Sequence, residues 1–454
     1  MKLFDWRWLA VSSVLAVTLM ARAEARPQYG GTLHVTTRAA LTSLDPADSS
    51  QSASFAQENI LRLIFETLVS IDDAGRIHPG LAIGWKPAAN ERRWHFQLRR
   101  GVKFQDGTLL TPEIAAASLR AANPAWTVSA DSDGLVVERD VADPELPAEL
   151  ALPRNAIARR NSGAAPIGTG PFRIGEWQAG KKLVLAAEED YWSGRPYLDS
   201  IEIEMGRSFR DQMTELELAR ADLVEVAPEQ AHRASLDGRK LVISEPVELV
   251  GLVFAQDAKT PEEKSLREAL ALSIDRASIR NVLLQGAGQP AGALLPNWMS
   301  GYEFVFPTDS DLARARRDRD QSRNVPAWKL GYDANDSLAK FLSERIALNA
   351  RDAGLQLQPA AGATGDLRLV RASYTSPDPW LALAGLATLG GVATTKSAGS
   401  VEDLYASEQA LLNTRRIIPL FHLPVVYAAA PTLKGWTLRA DGSWNLADAW
   451  LGAR

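Results

Sequence analysis

This sequence predicts a mixed α/β protein of two or more lobes, on three observations. The chain has 454 residues, and one hydrophobic core rarely organises more than roughly 250–300, so its apolar residues must be shared between separate cores. Trp94, Phe96 and Leu98 alternate with His95, Gln97 and Arg99, the period of a strand with one buried face. Two stretches, at Thr111 and at Thr260, open with a hydroxyl residue, a proline and acidic residues, the start signal of a helix, and helical runs alternate with strand-like ones. That succession suits sheets with helices packed against them.

The elements follow in order. Asp106-Gly107 closes the first strand in a turn. Thr111 caps the next helix, with Pro112 at its first position and Glu113 near its positive end, and Asn123-Pro124 stops it. Lys182 to Ala187 is the second strand of a hairpin turning at Ala179-Gly180. Ile201, Ile203 and Met205 form one face of a strand whose other face carries Glu202 and Glu204. At Thr260, the residues Pro261, Glu262 and Glu263 make a capping box before the stripe Leu266, Ala269, Leu270, Ile274. Asp275-Arg276 restarts a helix that Gly286 ends. Leu338, Phe341, Leu342 and Ile346 keep helical spacing until Gly354, then Leu355 and Leu357 read as a strand, and Leu367, Leu369 and Arg371 share one face of another. The Ala-, Gly-, Leu- and Thr-rich run from Leu381 to Ser400 reads as a surface segment or a loosely packed helix.

The first residues address export. Lys2 and Arg7 flank the start, an apolar run extends from Trp8 to Met20, and Ala21, Ala23 and Ala25 offer cleavage sites. This is the pattern of a signal peptide over residues 1–25, and the run is shorter than the roughly 20 apolar residues of a membrane span. The chain has no cysteine, hence no disulfide framework and no thiol for a lipid anchor. The mature protein is expected free in the periplasm, beginning after Ala23 or Ala25. Recovery from a periplasmic extract without detergent, with an intact mass lacking Met1 to Met20, is the expected result. Sedimentation with washed membranes would contradict it.

Composition narrows the function classes. A net charge of −5 with both signs interspersed offers no basic patch for nucleic acid. Gly175 to Lys181 matches the start of a phosphate-binding loop, but Lys182 stands where a magnesium-reaching Ser or Thr is needed. His34, His78, His95, His232 and His422 include no pair at helical spacing, so no metal site is expected from the sequence. Glu202 and Glu204 could pair as acid and base for glycoside hydrolysis, against the plainer reading of a solvated strand face. No G-x-S-x-G or H-E-x-x-H occurs. Neither an enzyme nor a resident cofactor is expected.

From Ile64 to Thr108 the chain carries IFETLV, PGLA, Trp85, WHFQLRRGVKF and QDGT in one order, with GTL at Gly31, LDP at Leu44, GTGPF at Gly168 and LREALALSIDR at Leu266. In these motifs, from about residue 30 onward, it resembles the family 5 extracellular solute-binding proteins, the oligopeptide, dipeptide and nickel receptors of bacterial ABC importers. The resemblance implies a two-lobed periplasmic-binding-protein fold of class II type with a third, inserted domain, here reduced because the segment from Leu119 to Gly168 is short. Lobe I is expected from 26–46, 166–245 and 426–454, the insertion from 47–165 and lobe II from 246–425. Hinges are expected near the GTGPF crossing, around Glu245 to Gly251 and around Leu423 to Val426. Gly168 and Gly170 are read as supplying backbone conformations closed to other residues.

The resemblance also implies a monomer that captures a small-molecule or peptide ligand and presents it to an inner-membrane permease. A sensor on the same fold and a cryptic hydrolase are the alternatives. By position, Ser50, Gln51, Ser52, Arg371, Ser373, Tyr374, Thr375, Asp378 and Trp380 are the ligand-contact candidates, through strand addition to the ligand backbone. The competing reading is structural: Ser50 to Ser52 precede a helix capped by Ser54, and Tyr374 and Trp380 are core aromatics. Thr375 falls where the family's peptide receptors carry an acidic residue for the ligand's amino group. A hydroxyl cannot neutralise an ammonium, while Arg371 would favour a carboxylate. Weak binding of free di- and tripeptides is therefore expected, unless Asp378 supplies the charge.

Overall fold

In the computed structural model, which describes residues 26–48, 54–161, 165–362, 364–374, 376–392 and 399–453, two long strands organise the chain. Leu241–Phe254 and Ile417–Ala429 lie antiparallel at the centre of an eleven-stranded sheet. On one side, Ile417–Ala429 pairs with Leu223–Val226, and the sheet continues through Thr32–Thr36, Ser200–Glu204 and Lys182–Ala187 to Phe172–Gln178. On the other, Leu241–Phe254 pairs with Leu367–Ser373, followed by Ala327–Tyr332 and Gln356–Ala361. Each half forms one lobe, so the α/β architecture of two lobes is as expected.

The two strands do not pair evenly where they pass between lobes. Their register shifts between Ile243 and Pro246, between Pro246 and Glu248, and between Val250 and Gly251. Pro246 stands opposite Pro424, and proline has no N–H for a ladder. The Ser244 hydroxyl substitutes by accepting from the Val425 N–H at 3.0 Å. Backbone pairing is thus interrupted in two of the three segments expected to hinge, around Glu245 to Gly251 and around Leu423 to Val426.

Separate cores pack against these sheets. In the first lobe, Leu33, Val35, Leu183, Leu185, Ile201 and Ile203 pack with Ile60, Leu61 and Ile64 of the helix Phe55–Ile64. In the second, the crossing strand is buried on both faces, which is why its sequence reads as a nearly continuous apolar run. Val250, Leu252 and Phe254 face the helices Pro261–Ser273 and Ser337–Asp352, while Val247, Leu249 and Val253 face Leu383, Leu386 and Leu411. A separate four-stranded sheet, in the order Ala82–Pro87, Arg93–Leu98, Gly134–Glu138, Thr127–Ala130, buries Trp94, Phe96 and Leu98 against Ala115 and Leu119 of the helix Pro112–Ala122. Among the described residues no helix is long and apolar enough to cross a membrane.

Several expectations need correcting. Leu381 to Leu389 belongs to the helix Pro379–Leu389, which buries Leu381, Leu383 and Leu386, so it is neither a surface segment nor loosely packed; residues 393–398 lie outside the described residues. Thr260 does cap its helix by accepting from the Glu263 N–H, but the Glu263 carboxylate accepts from Lys259 rather than closing the box on Thr260. Phe341, placed on the apolar stripe, is 54% exposed. Gly168 and Gly170 do not adopt positive φ; they are glycines because the chain passes against the end of the helix Phe55–Ile64. The Gly170 N–H donates to the Ile64 carbonyl at 2.9 Å, and the Gln105 side chain donates to the same carbonyl at 3.0 Å, satisfying a group the helix leaves unpaired at its end.

Candidate functional site

Beside the break in the crossing strands lies a cavity of about 290 Å³ with walls from both lobes. The first lobe brings Arg38, just after Thr32–Thr36, Phe55 and Phe209 at the first positions of their helices, and Glu225 from Leu223–Val226. The second brings Glu248 from the crossing strand and Arg371 from its neighbour. The positions are set by local rules. Ser54 caps Phe55–Ile64 by accepting from the Gln57 N–H at 3.2 Å, and Ser208 caps Phe209–Glu217 through the Asp211 N–H at 3.2 Å, so each phenylalanine sits at a capped helix start. Arg371 pairs in register with Val250 and lies diagonal to Glu248, within reach of a long side chain.

Arg371 donates through Nε and Nη2 to the two Glu248 oxygens at 3.1 and 2.6 Å and through Nη1 to Asp336 at 3.0 Å. Burial works against its charge, but Glu248 and Asp336 hold the guanidinium above its ordinary pKa. Asp336 also caps Ser337–Asp352 and lies 3.8 Å from Arg38 across the lobes. Burial pushes Asp336 upward, yet Arg371 and Arg38 outweigh it and hold the carboxyl below the usual range.

Glu225 is differently placed. Its carboxylate accepts from the Arg38 backbone N–H at 2.5 Å and from the Gln212 amide at 3.1 Å, and no cation lies within 4.0 Å of it among the described residues. Glu229, nearby, has one buried oxygen without a hydrogen-bond partner. Burial pushes both carboxyls up. Among the residues lining the cavity, Arg38 and Arg371 balance Glu225 and Glu248; Asp336 and Glu229, which interact with both arginines from outside the lining, add two further acidic groups.

The sequence-derived candidates divide. Arg371 and Ser373 line the cavity. Each guanidinium nitrogen of Arg371 already donates to Glu248 or Asp336, so the carboxylate expected there would compete with two resident ones. Tyr374 is 5% exposed and donates to the Leu294 carbonyl at 2.9 Å; it is a core residue. Asp378 caps Pro379–Leu389 by accepting from the Leu381 N–H at 2.9 Å, and Trp380 packs against the second lobe's core; neither lines the cavity. Ser50, Gln51, Ser52 and Thr375 lie outside the described residues. Arg38, Phe55, Phe209, Glu225 and Glu248 were missed, although a lone Glu in the apolar run Leu223–Val226 and another between Val247 and Leu249 were visible signals.

The partial phosphate-loop match and the Glu202 and Glu204 pair resolve as structure. Lys182 begins a strand and pairs with Glu202 at 2.5 Å, and Glu204 pairs with Arg207 at 2.5 Å, so the two glutamates line a solvated strand face.

Residues 76–343 match the family described as bacterial extracellular solute-binding proteins, family 5 Middle. The chain is 29% identical over 241 residues to the nickel-binding protein NikA of Staphylococcus aureus, a match covering 50% of this chain and 49% of that protein. It is 23% identical to the oligopeptide-binding protein AppA of Bacillus subtilis, covering 71% and 66%; the chain thus spans about half to two thirds of the length of these relatives. In structure it resembles the dipeptide binding protein from Pseudoalteromonas sp. SM9913 in complex with Met-Leu, with a TM-score of 0.81 at 16% identity over 93% of this chain and all of that one. The Staphylococcus aureus NikA structure in complex with Ni(L-His)2 gives 0.79 at 18% identity over 92% and 99%.

Proposed function

We infer that this chain, which belongs to family 5 of the bacterial extracellular solute-binding proteins, is the solute receptor of an ABC importer, and that it takes up its solute in the cavity between the lobes. The observation that carries the reading is the position of that cavity: walls from both lobes meet beside the proline-interrupted stretch of both crossing strands. A solute held there gains contacts from two lobes only when they are closed, so binding shifts the population toward the closed form. Its size, at the low end of the roughly 300–1,000 Å³ usual for ligand pockets, supports a small solute, peptide or peptide-like, over a long oligopeptide. Delivery to an inner-membrane permease, a periplasmic location and a monomeric state complete the proposal.

The division of the chain that accompanies this reading is 26–46, 166–245 and 426–454 for the first lobe, 47–165 for the insertion and 246–425 for the second. Because Phe55–Ile64 packs in the first lobe's core, the insertion is better begun after Phe65.

Native mass spectrometry of freshly purified protein, followed by small-angle scattering, tests the function. A solute at a hundredfold excess over its dissociation constant should add about 2.7 kcal/mol of stability and reduce the radius of gyration. A stoichiometric ligand that leaves the scattering curve unchanged would sink lobe closure.

A further inference from the structure

The charges around the cavity specify the solute further, on the premise that the cavity is the receptor site. Its two guanidinium groups come already matched in charge: Arg371 donates from each of its three nitrogens to Glu248 or Asp336, and Arg38 leans toward Asp336. An anionic solute would have to break that set and would then face Glu225. The hydrogen bonds to the Glu225 carboxylate come from neutral donors, a backbone N–H and the Gln212 amide, and Glu229, within the influence of the same Arg38 and Arg371, has an unpartnered oxygen. Arg38 and Arg371 act on Glu225 only from beyond ion-pair distance, and a mostly buried carboxylate with no cation in direct contact is costly to keep ionised. The remaining wall is apolar and partly aromatic, with Phe55, Phe209, Val425 and Pro424. Arg38 already lies over the Phe209 ring at 5.4 Å, which shows that this wall accepts a cation against an aromatic face.

We propose that the receptor is built for a small organic cation, with its ammonium or guanidinium group seated at Glu225 and its apolar body against Phe55, Phe209 and Val425, and that a free carboxylate on the solute works against binding. A cation at Glu225 favours the ionised carboxylate, so its binding takes up the charge that burial opposes and tightens as pH rises and the carboxyl loses its proton. The charged groups facing Glu225 from the surrounding elements are Arg38, Glu229, Glu248, Asp336 and Arg371. Of these, Glu229 shares the upward displacement, while Arg371 and Asp336 stay charged throughout.

Calorimetry on the full mature chain with three matched probes tests this: phenethylamine, phenethyl alcohol and hydrocinnamate share one aromatic body and differ in charge. The amine is expected to bind at least tenfold more tightly than the alcohol, with hydrocinnamate weakest. Glu225→Gln, which keeps an acceptor for the Arg38 N–H, should remove most of that preference, and Glu229→Gln should reduce it less. Tighter binding of hydrocinnamate or of the dipeptide Met-Leu than of phenethylamine, unaffected by Glu225→Gln but still compacting the protein, overturns the cation assignment and leaves the receptor reading standing. Any solute co-purifying with the protein decides in the same way, by whether it carries a cationic group. A chain that retains no solute and compacts with none of the probes overturns the receptor reading itself.

Discussion

Gly168→Ala is expected to destabilise the protein by about 3 kcal/mol or more, a large fraction of the roughly 5–15 kcal/mol that holds a chain of ordinary stability folded. A Cβ on Gly168 would stand 1.9 Å from the Ile64 carbonyl oxygen, 2.7 Å from its carbon and 2.8 Å from the Phe65 ring. Two of those three atoms are backbone at the end of a helix packed in the first lobe's core, so no side-chain rotation relieves the clash. The loop would have to retreat, and the Gly170 and Gln105 hydrogen bonds to Ile64 would be lost with it. Gly180→Ala is the control. Gly180 has φ +71° with nothing within 4 Å of its would-be Cβ, so alanine there meets only left-handed strain of about 1 kcal/mol. Urea unfolding of both variants decides the matter through their midpoints. If Gly168→Ala is no less stable than Gly180→Ala, the close-approach account of this loop is wrong.

That glycine also shows what a sequence exposes and what it withholds. The motif around Gly168 was visible, and so was its place at a chain crossing. The reason for the glycine was not, because Ile64 is brought to it by folding. Elements governed by neighbours in sequence were legible: the alternation at Trp94, Phe96 and Leu98, the Thr111 cap with Pro112, the turn at Gly180. The site was legible only where a residue's role depends on its own strand. Arg371 was placed at the cavity, but its partners Glu248 and Asp336 lie 123 and 35 residues away, and they turn a group expected to receive anions into one already neutralised. Tyr374 and Arg371 are three apart yet end on opposite sides of the question, one in the core and one at the cavity. Glu225 looked like one acid among many until the fold set it in the cavity wall with no cation in direct contact.

The same burial predicts opposing pH dependences. His422, 4% exposed and 3.0 Å from the Ala293 carbonyl through Nε2, is held down to about 4 by burial from an ordinary 6.5. Between those values the unfolded chain takes up a proton that the folded protein refuses. Its contribution is therefore fully present above about 6.5 and lost as pH falls toward 4, by roughly 3 kcal/mol across the interval. Glu58, in the crevice between the lobes with Arg62 and Asp441, is pushed up by burial to about 7 from 4.5, with Arg62 opposing and Asp441 adding to the rise. Here the folded protein keeps a proton that the unfolded chain releases, so stability is lost as pH rises from 4.5 to 7, again by roughly 3 kcal/mol. In the parent protein the two slopes oppose over nearly the same range, and a flat profile would conceal both. Relative to the parent, the stability of His422→Gln should decline with rising pH across that interval, and that of Glu58→Gln should increase. Taking the difference from the parent cancels the other buried carboxyls. Denaturant unfolding of all three proteins from about pH 4 to about pH 8 makes the comparison, and a variant whose difference from the parent stays level throughout would show that its group does not titrate as its burial requires.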